Sequence, residues 1–539
     1  MKIGFRLVLM AIICGLLAGC MAPADTGTQP QPSQTQQETS DYTAYADMVY
    51  ERPLMGELEN ALKSACEMAQ TGTVARIMRA VYAFYDVYDS FYTNYSLADL
   101  RYSADLTDEY WQAETEFCAA NSARVDAMLE ELYYALAKSP QLEKLEGEDY
   151  FGEGFFDYYQ GENNWDEAFT ALLEQESALI SRYYDLNEAA GAYEYGSEDY
   201  YEACFEDMAQ VLVELIQLRH EMADYWGYDD YNRFATDFYH YRDYTVDQSQ
   251  TYLDQIQQEL VELYRQVNLS GIWDEGFDQT TEAETYAYVA EMARNMGGTV
   301  EEAFILMDRA GLYDISWGEH KYPSSFEVYL TSYYEPFIFL CPGMSTYDHL
   351  TFAHEFGHFC NDYASWGSYA GVDVLEFFSQ GMEYLSLCYV DGTEKLTKLK
   401  MADSLCLYVE QAAFASFEMQ MYAIPEQELS VETLTDLYDR VALEYGFESI
   451  GYDAREFVTI NHYYTNPLYI MSYVVSNDAA LQLYQLERES RGSGLACLEE
   501  NLDTGESYFL SFLNGAGLES PFAPGRLQSV RQTFESVFG

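Results

Sequence analysis

The chain predicts a mostly α-helical protein with a small β-sheet set beside one central helix, and three observations carry that expectation. Apolar residues recur at three-to-four spacing from about residue 42 to about residue 315. Between residues 325 and 340 the period changes to two, and from Asp348 the helical spacing resumes and runs to the C-terminus. With 49% hydrophobic residues, 52 Tyr and 30 Phe, the chain is far from the apolar-poor signature of disorder and long enough to bury a large core.

Taken in order, residues 1–19 read as a secretory leader. Lys2 and Arg6 supply positive charge, and the apolar run from Leu7 to Leu17 is too short to span a bilayer comfortably. The run ends in Leu17-Ala18-Gly19-Cys20, which resembles the lipobox of bacterial lipoproteins. That resemblance implies cleavage before Cys20, a diacylglyceryl anchor on its thiol, and an extracytoplasmic address on a bacterial cell membrane. Residues 20–42, rich in Thr, Gln, Pro and Ser, follow as a solvated tether. No later run is long and apolar enough for a second span, so contact with the membrane is expected through the anchor alone.

Helices are expected over 57–70, 74–97, 110–137, 166–186, 198–225 and 246–267, with breaks at Ser139-Pro140 and Gly161-Glu162-Asn163-Asn164. Phe326, Val328 and Leu330 alternate with polar partners before Pro336-Phe337-Ile338-Phe339-Leu340, the pattern of a short hairpin. Of ten cysteines, eight (Cys66, Cys118, Cys204, Cys341, Cys360, Cys388, Cys406, Cys497) are scattered through apolar patterns with no CxxC spacing and read as small core residues.

Formal net charge is −64, from 91 acidic against 27 basic residues, and loss of Lys2 and Arg6 with the leader takes it near −66. Such a field repels nucleic acid and anionic lipid surfaces and favours cationic partners. It speaks against nucleic-acid binding; an acidic solvated surface accounts for it first, with selection of cationic peptide substrates as the alternative.

The most informative stretch is His354-Glu355-Phe356-Gly357-His358. On a helix, four residues return to within about 40° of the starting direction, so both imidazoles leave one face within reach of one ion. Glu355 sits beside that face, where it can address a water on the ion. A catalytic zinc site wants three protein ligands and an open corner. Cys360, two residues past His358, points about 200° away around the helix and cannot share the ion. After the turn formers Gly367, Ser368 and Gly371 a second helix begins, and run back antiparallel it puts Glu376 beside the histidines. Glu383 lies two turns beyond Glu376 and Asp362 one turn beyond His358, both placed to orient ligating imidazoles.

These residues resemble the thimet oligopeptidase and oligoendopeptidase F family of zinc metallopeptidases. In that family an HEFGH-like helix is followed by a helix whose glutamate is the third ligand, in a pattern like Glu376-Phe-Phe-Ser379-Gln380-Gly-Met-Glu383. Pro336-Phe-Ile-Phe-Leu, leading through Asp348 into Ala353-His354, is similar to the family's strand, loop and helix entry. Leu218-Arg219-His220-Glu221, Trp226-Gly227-Tyr228 and Arg242-Asp243-Tyr244-Thr245 resemble a segment that precedes its catalytic region. Two departures stand out: the interval from His358 to Glu376 is several residues shorter than usual, and Phe377-Phe378 replace smaller residues.

The resemblance implies two helical lobes around a deep substrate channel, here an N-terminal lobe over 43–245 and a catalytic lobe over 246–539. It implies one Zn2+ on His354, His358 and Glu376, with Glu355 as the proton acceptor of an activated water. It also implies donors to the developing oxyanion from the segment Asn461 to Tyr473: His462 and Tyr469 first, then Tyr463, Tyr464 and Tyr473 as substrate contacts. The expected activity is zinc-dependent endo-oligopeptidase hydrolysis of short unfolded peptides. A dipeptidyl carboxypeptidase-like zinc exopeptidase shares the same ligand logic, and a peptide-binding lipoprotein without turnover is the reading from another class. Intact Glu355 argues against that last one.

Overall fold

The computed structural model describes residues 42–538 apart from 148–149, 153, 161–166, 195, 275 and 368–369. The leader, Cys20 and residues 21–41 of the tether lie outside the described residues. Eight long helices precede the sheet: α1 (Met55–Thr71), α2 (Val74–Ala104), α3 (Glu109–Ala137), α4 (Glu167–Ala190), α5 (Glu198–Tyr225), α6 (Val246–Leu269), α7 (Glu282–Met296) and α8 (Gly298–Ala310). Six follow it: α9 (Tyr347–Ser365), α10 (Val372–Tyr389), α11 (Glu394–Tyr422), α12 (Val431–Glu444), α13 (Ile470–Glu489) and α14 (Arg526–Phe538). Among the described residues no helix is long and apolar enough to cross a membrane.

Local chemistry explains where several helices begin. Asp108 accepts the N–H groups of Tyr110 and Trp111 at the start of α3, and Ser197 accepts that of Tyr200 at the start of α5. Thr245 and Gln248 form a full capping box on α6, which fixes the direction in which the Arg242-to-Thr245 segment enters that helix. The expected helices appear with ends shifted by a few residues, except that α2 runs on to Ala104.

Two apolar cores form. One is built within α1, α2, α3 and the turns after them, from Leu58 to Tyr159, with Ile77, Phe84, Val125 and Leu132 at its centre. The other runs through α4 to α14 and the sheet, and it continues without interruption across residue 245.

The sheet has three strands in the order β1-β3-β2, with β1 (Tyr313–Ile315) parallel and β2 (Ser325–Leu330) antiparallel to β3 (Glu335–Leu340). The hairpin is the one read from the alternation. The third strand was not legible, because three residues are too few to show a period. Every residue of β3 is buried because both faces are covered. In the register Glu327↔Ile338 and Val328↔Phe337, Glu327 and Tyr329 face α9, while Phe337 on the other face meets Tyr45 with ring centroids 4.3 Å apart. The segment around Tyr45 is stitched down at both ends. Thr43 donates its N–H to Glu335 Oε1 at 2.7 Å, and Arg101 on α2 donates to the Met48 carbonyl at 3.0 Å.

Burial leaves a titration signature in the first lobe. Asp89 and Asp99 on α2 and Asp126 on α3 are each pushed up by burial to about 7, despite hydrogen bonds to Asp126 from the Tyr88 and Tyr92 hydroxyls. A carboxyl whose folded pKa is raised stabilises the fold fully below its unfolded value near 3.8, and that contribution is lost as pH rises through about 7. The melting temperature of the first lobe, followed by circular dichroism, is therefore expected to fall between about pH 5 and about pH 8. Asp99→Asn should flatten that slope, and an unchanged slope would contradict the burial account.

Candidate metal centre

Helix α9 starts where Asp348 turns back on the loop before it, accepting the N–H groups of Gly343 at 3.0 Å and Ser345 at 3.1 Å. Phe352, Phe356, Phe359 and Cys360 bury one side of the helix in the larger core, which turns His354 and His358 to the other side. The two imidazole rings have centroids 5.2 Å apart.

Helix α10 crosses α9 at Gly357. A Cβ there would sit 2.5 Å from the Phe378 carbonyl oxygen and 2.6 Å from Ser379 Cα, so only glycine lets the two backbones approach this closely. The short connection is handled by left-handed backbone at Trp366 (φ 58°) and Gly367 (φ 67°), the latter packed against the Tyr329 ring. Phe377 and Phe378 pack onto Phe512, with centroids 5.0 Å and 5.8 Å away, and so leave Glu376 free to face α9.

The result is a convergence: one ligand atom each from His354, His358 and Glu376 lies within 4.8 Å of the others. His354 Nε2 is 3.6 Å from Glu376 Oε2. The Glu376 carboxylate is held by Ser379 Oγ, which donates to Oε2 at 3.1 Å, and by the Tyr469 hydroxyl, which donates to Oε1 at 3.1 Å. Two imidazoles and a carboxylate converging at this spacing fit a borderline-soft divalent ion of the zinc type. The interval from His358 to Glu376 returns the glutamate to the two histidines.

Behind the ligands a buried relay runs outward. Glu383 Oε1 lies 2.8 Å from His354 Nδ1, which directs the imidazole's Nε2 lone pair toward Glu376 when Nδ1 carries the proton. The other Glu383 oxygen pairs with Lys400 Nζ on α11, whose side chain is 2% exposed. Burial alone would raise the Glu383 carboxyl, but Lys400 and His354 overcome it and hold it below its usual value. For His354, burial works downward and is outweighed by the Glu383 hydrogen bond and the Glu355 and Glu376 charges, which raise it to about 9. A cation bound here would displace that proton, so binding is expected to release acid.

Glu355 lies on the sheet side of α9, 3% exposed, with the Glu327 backbone N–H directed at its carboxylate. Burial pushes it up to about 7; His354 opposes the shift and Glu376 adds to it. Asp362 does not reach His358 as the turn spacing suggested. It faces Glu327 on β2, and burial raises both carboxyls, Asp362 to about 7, with the Asp362 charge adding to the shift of Glu327.

The aromatic segment divides. His462 lies with its Nε2 3.4 Å from the Tyr473 hydroxyl, its ring 5.7 Å from that of Tyr469, and burial lowers it to about 4, so it is neutral. Tyr469 reaches Glu376 and Tyr473 packs against it at 5.2 Å. Tyr463 and Tyr464 turn the other way. Both are 0% exposed, and their hydroxyls donate to the carbonyls of Phe414 at 3.0 Å and Met208 at 3.2 Å, which makes them core residues rather than substrate contacts. Lys400 and Glu327 were missed on reading the sequence. A lysine inside the apolar helical stretch Leu399-Lys400-Met401-Ala402 was a usable signal for a buried cation; Glu327 offered none, being one acid among many.

Comparison with known proteins adds an independent line. Residues 45–164 match the Peptidase M3 N-terminal domain, the same residues that build the first core. A 192-residue stretch is 28% identical to an oligoendopeptidase F homolog of Borreliella burgdorferi, covering 32% of this chain. The match spans 32% of that curated relative's length, about a third. A Bacillus anthracis protein assigned as an oligoendopeptidase F has the same fold at a TM-score of 0.77 and 21% identity, over 92% of this chain and 98% of that one. PZ peptidase A, solved with an inhibitor, aligns at a TM-score of 0.79 and 19% identity over 91% and 98% of the respective chains.

Metal binding tests the centre directly. The purified protein should take up one divalent ion per chain, and His354→Ala or Glu376→Gln should abolish stoichiometric uptake in elemental analysis after dialysis. Glu383→Gln should weaken affinity by about 10- to 100-fold, since only the orientation of His354 is lost.

Proposed function

With the domain match, the curated relative and the shared fold supporting a peptidase of the M3, oligoendopeptidase F family, we propose that the protein is a zinc-dependent endo-oligopeptidase acting on short unfolded peptides. The observation that carries this reading is the convergence of His354, His358 and Glu376, with Glu355 beside them and Tyr469 on the Glu376 carboxylate. When bound, a zinc ion supplies Lewis acidity, polarising a carbonyl and acidifying a water.

The remaining steps belong to the chain's own residues. Glu355, buried and poised near neutrality, takes a proton from the attacking water and passes it to the departing amine nitrogen. Tyr469 turns its hydroxyl from Glu376 toward the carbonyl oxygen as negative charge develops there. His462, neutral through burial, adds a donor without adding charge. An extended peptide chain has a natural place. In the order β1-β3-β2 the strand β2 is terminal, and its Glu327 N–H lies at Glu355. A peptide added along β2 would be held through backbone hydrogen bonds and carried past the proton acceptor, with broad tolerance for side chains. The field of a chain at −64 favours cationic peptides over anionic ones. The lipobox-like leader supports an extracytoplasmic, membrane-anchored peptidase.

A quenched fluorescent peptide blocked at its C-terminus should be cleaved internally by the zinc-loaded protein. Glu355→Gln should retain zinc and lose at least about 100-fold in rate; unchanged hydrolysis in that variant excludes the proposed role. Metabolic labelling with palmitate should mark the wild-type protein and not Cys20→Ser; equal labelling would exclude the anchor.

A further inference from the structure

We propose that Arg242 is a positioning residue, one guanidinium that ties the backbone carrying Tyr469 to the helix carrying Glu376; this rests on the peptidase reading above. Its Nη2 donates to the Leu468 carbonyl at 3.0 Å and to Ser472 Oγ at 2.8 Å. Its Nε lies 3.5 Å from Asp373 Oδ2, with both side chains nearly excluded from water. Asp373 precedes Glu376 by three residues, one turn on the same helix, and its Oδ2 also accepts the Tyr244 hydroxyl at 2.7 Å. The path closes on itself: Arg242 to Leu468, Leu468 to Tyr469, Tyr469 to Glu376, and along α10 to Asp373 and back to Arg242.

The backbone at the centre of this path needs holding. Leu468 sits at φ 60°, in left-handed backbone that a leucine adopts only when its surroundings over-determine it. Those surroundings are on hand. Glu418, 0% exposed, accepts the Leu468 N–H at 2.8 Å, and His240 Nε2 lies 2.7 Å from the Pro467 carbonyl oxygen. Arg219, also 0% exposed, donates to the carbonyls of Tyr463, at 2.6 Å, and Tyr464. The left-handed turn at Leu468 aims the next residue, Tyr469, at Glu376. Among these groups Arg242 is the one that touches both the turn and α10; it works beside the direct packing of α13 on α10, where Ser476 Oγ donates to the Asp373 carbonyl at 2.8 Å, and fixes how the turn faces Glu376.

The test is a double-mutant cycle on the zinc-loaded full chain with a quenched fluorescent peptide. Arg242→Ala should lower kcat by about 100-fold while KM moves by less than about threefold, with zinc content retained. In the Tyr469→Phe background the same change should cost less than about threefold, because the group it positions is already gone. Millimolar guanidinium should restore part of kcat to Arg242→Ala and none to the double variant. Should Arg242→Ala fail to fold, Ser472→Ala removes one of its acceptors and runs through the same cycle, with the same non-additivity expected. An equal loss in both backgrounds, or no loss in either, overturns the positioning role while leaving the peptidase reading standing. Failure of the wild-type protein to hydrolyse the peptide, or full activity in Glu355→Gln, overturns the peptidase reading itself and this inference with it.

Discussion

The close approach of α9 and α10 at Gly357 is the constraint on which the centre depends. With the Phe378 carbonyl oxygen 2.5 Å from where a Cβ would stand, no other residue allows the crossing, and without it Glu376 cannot meet the two histidines. The glycine of the motif thus has a packing duty, distinct from the metal and proton roles proposed for its neighbours. Everything built around the pair serves to keep that crossing in place. Phe377 and Phe378 anchor α10 on Phe512, and the sheet, itself clasped by the segment around Tyr45, supports α9 from the other side.

Cations are scarce in this chain, 27 against 91 acids, and several of them are spent in the interior. Arg219, Arg242, Lys321, Lys400 and Arg526 all have side chains no more than 3% exposed, each paired with a carboxylate. A buried charge survives only with a partner and satisfied hydrogen bonds, so each of these fixes a specific geometry at a desolvation cost. Three of the five sit around the centre. Lys400 braces Glu383 behind His354, Arg242 spans Leu468 and Asp373, and Arg219 holds the carbonyls before them. The surface is left acidic, with a field that favours positive over negative ligands.

Carboxyls show the complementary behaviour. Glu355, Asp362 and Glu327 are crowded between α9 and β2, and burial raises all three; the Asp362 and Glu355 charges add to the shift of Glu327, and those of Glu376 and Glu383 to that of Glu355. Burial thus brings Glu355 to about 7, the range in which the proposed proton acceptor would work. Glu383 lies only two turns from Glu376 and yet behaves oppositely, because Lys400 outweighs its burial. The different roles of these acids come from their neighbours, since their side-chain chemistry is the same.

The helices, the hairpin and the pair of imidazoles were legible in the sequence because each is written in local spacing: three-to-four for α9, two for β2 and β3, four for His354 and His358. Glu376 was legible by its place on the next helix. What spacing could not carry was decided by contacts between distant segments. Asp362 was expected behind His358 and instead meets Glu327, 35 residues earlier in the chain, because the sheet packs on that face of α9. Tyr463 and Tyr464 share a motif with Tyr469 but follow the curve of a short helix into the core, while the left-handed turn at Leu468 sends Tyr469 back to the metal ligands. Arg242 acquires its role only when segments far apart in sequence are brought together, and Lys400 only when α11 folds back on α10. The sequence by itself determined which groups are available and on which face of each element they stand, since backbone periodicity is local. Which of them meet was left to the packing of the elements, because a single close contact such as Gly357 on Phe378 involves residues that no local pattern connects.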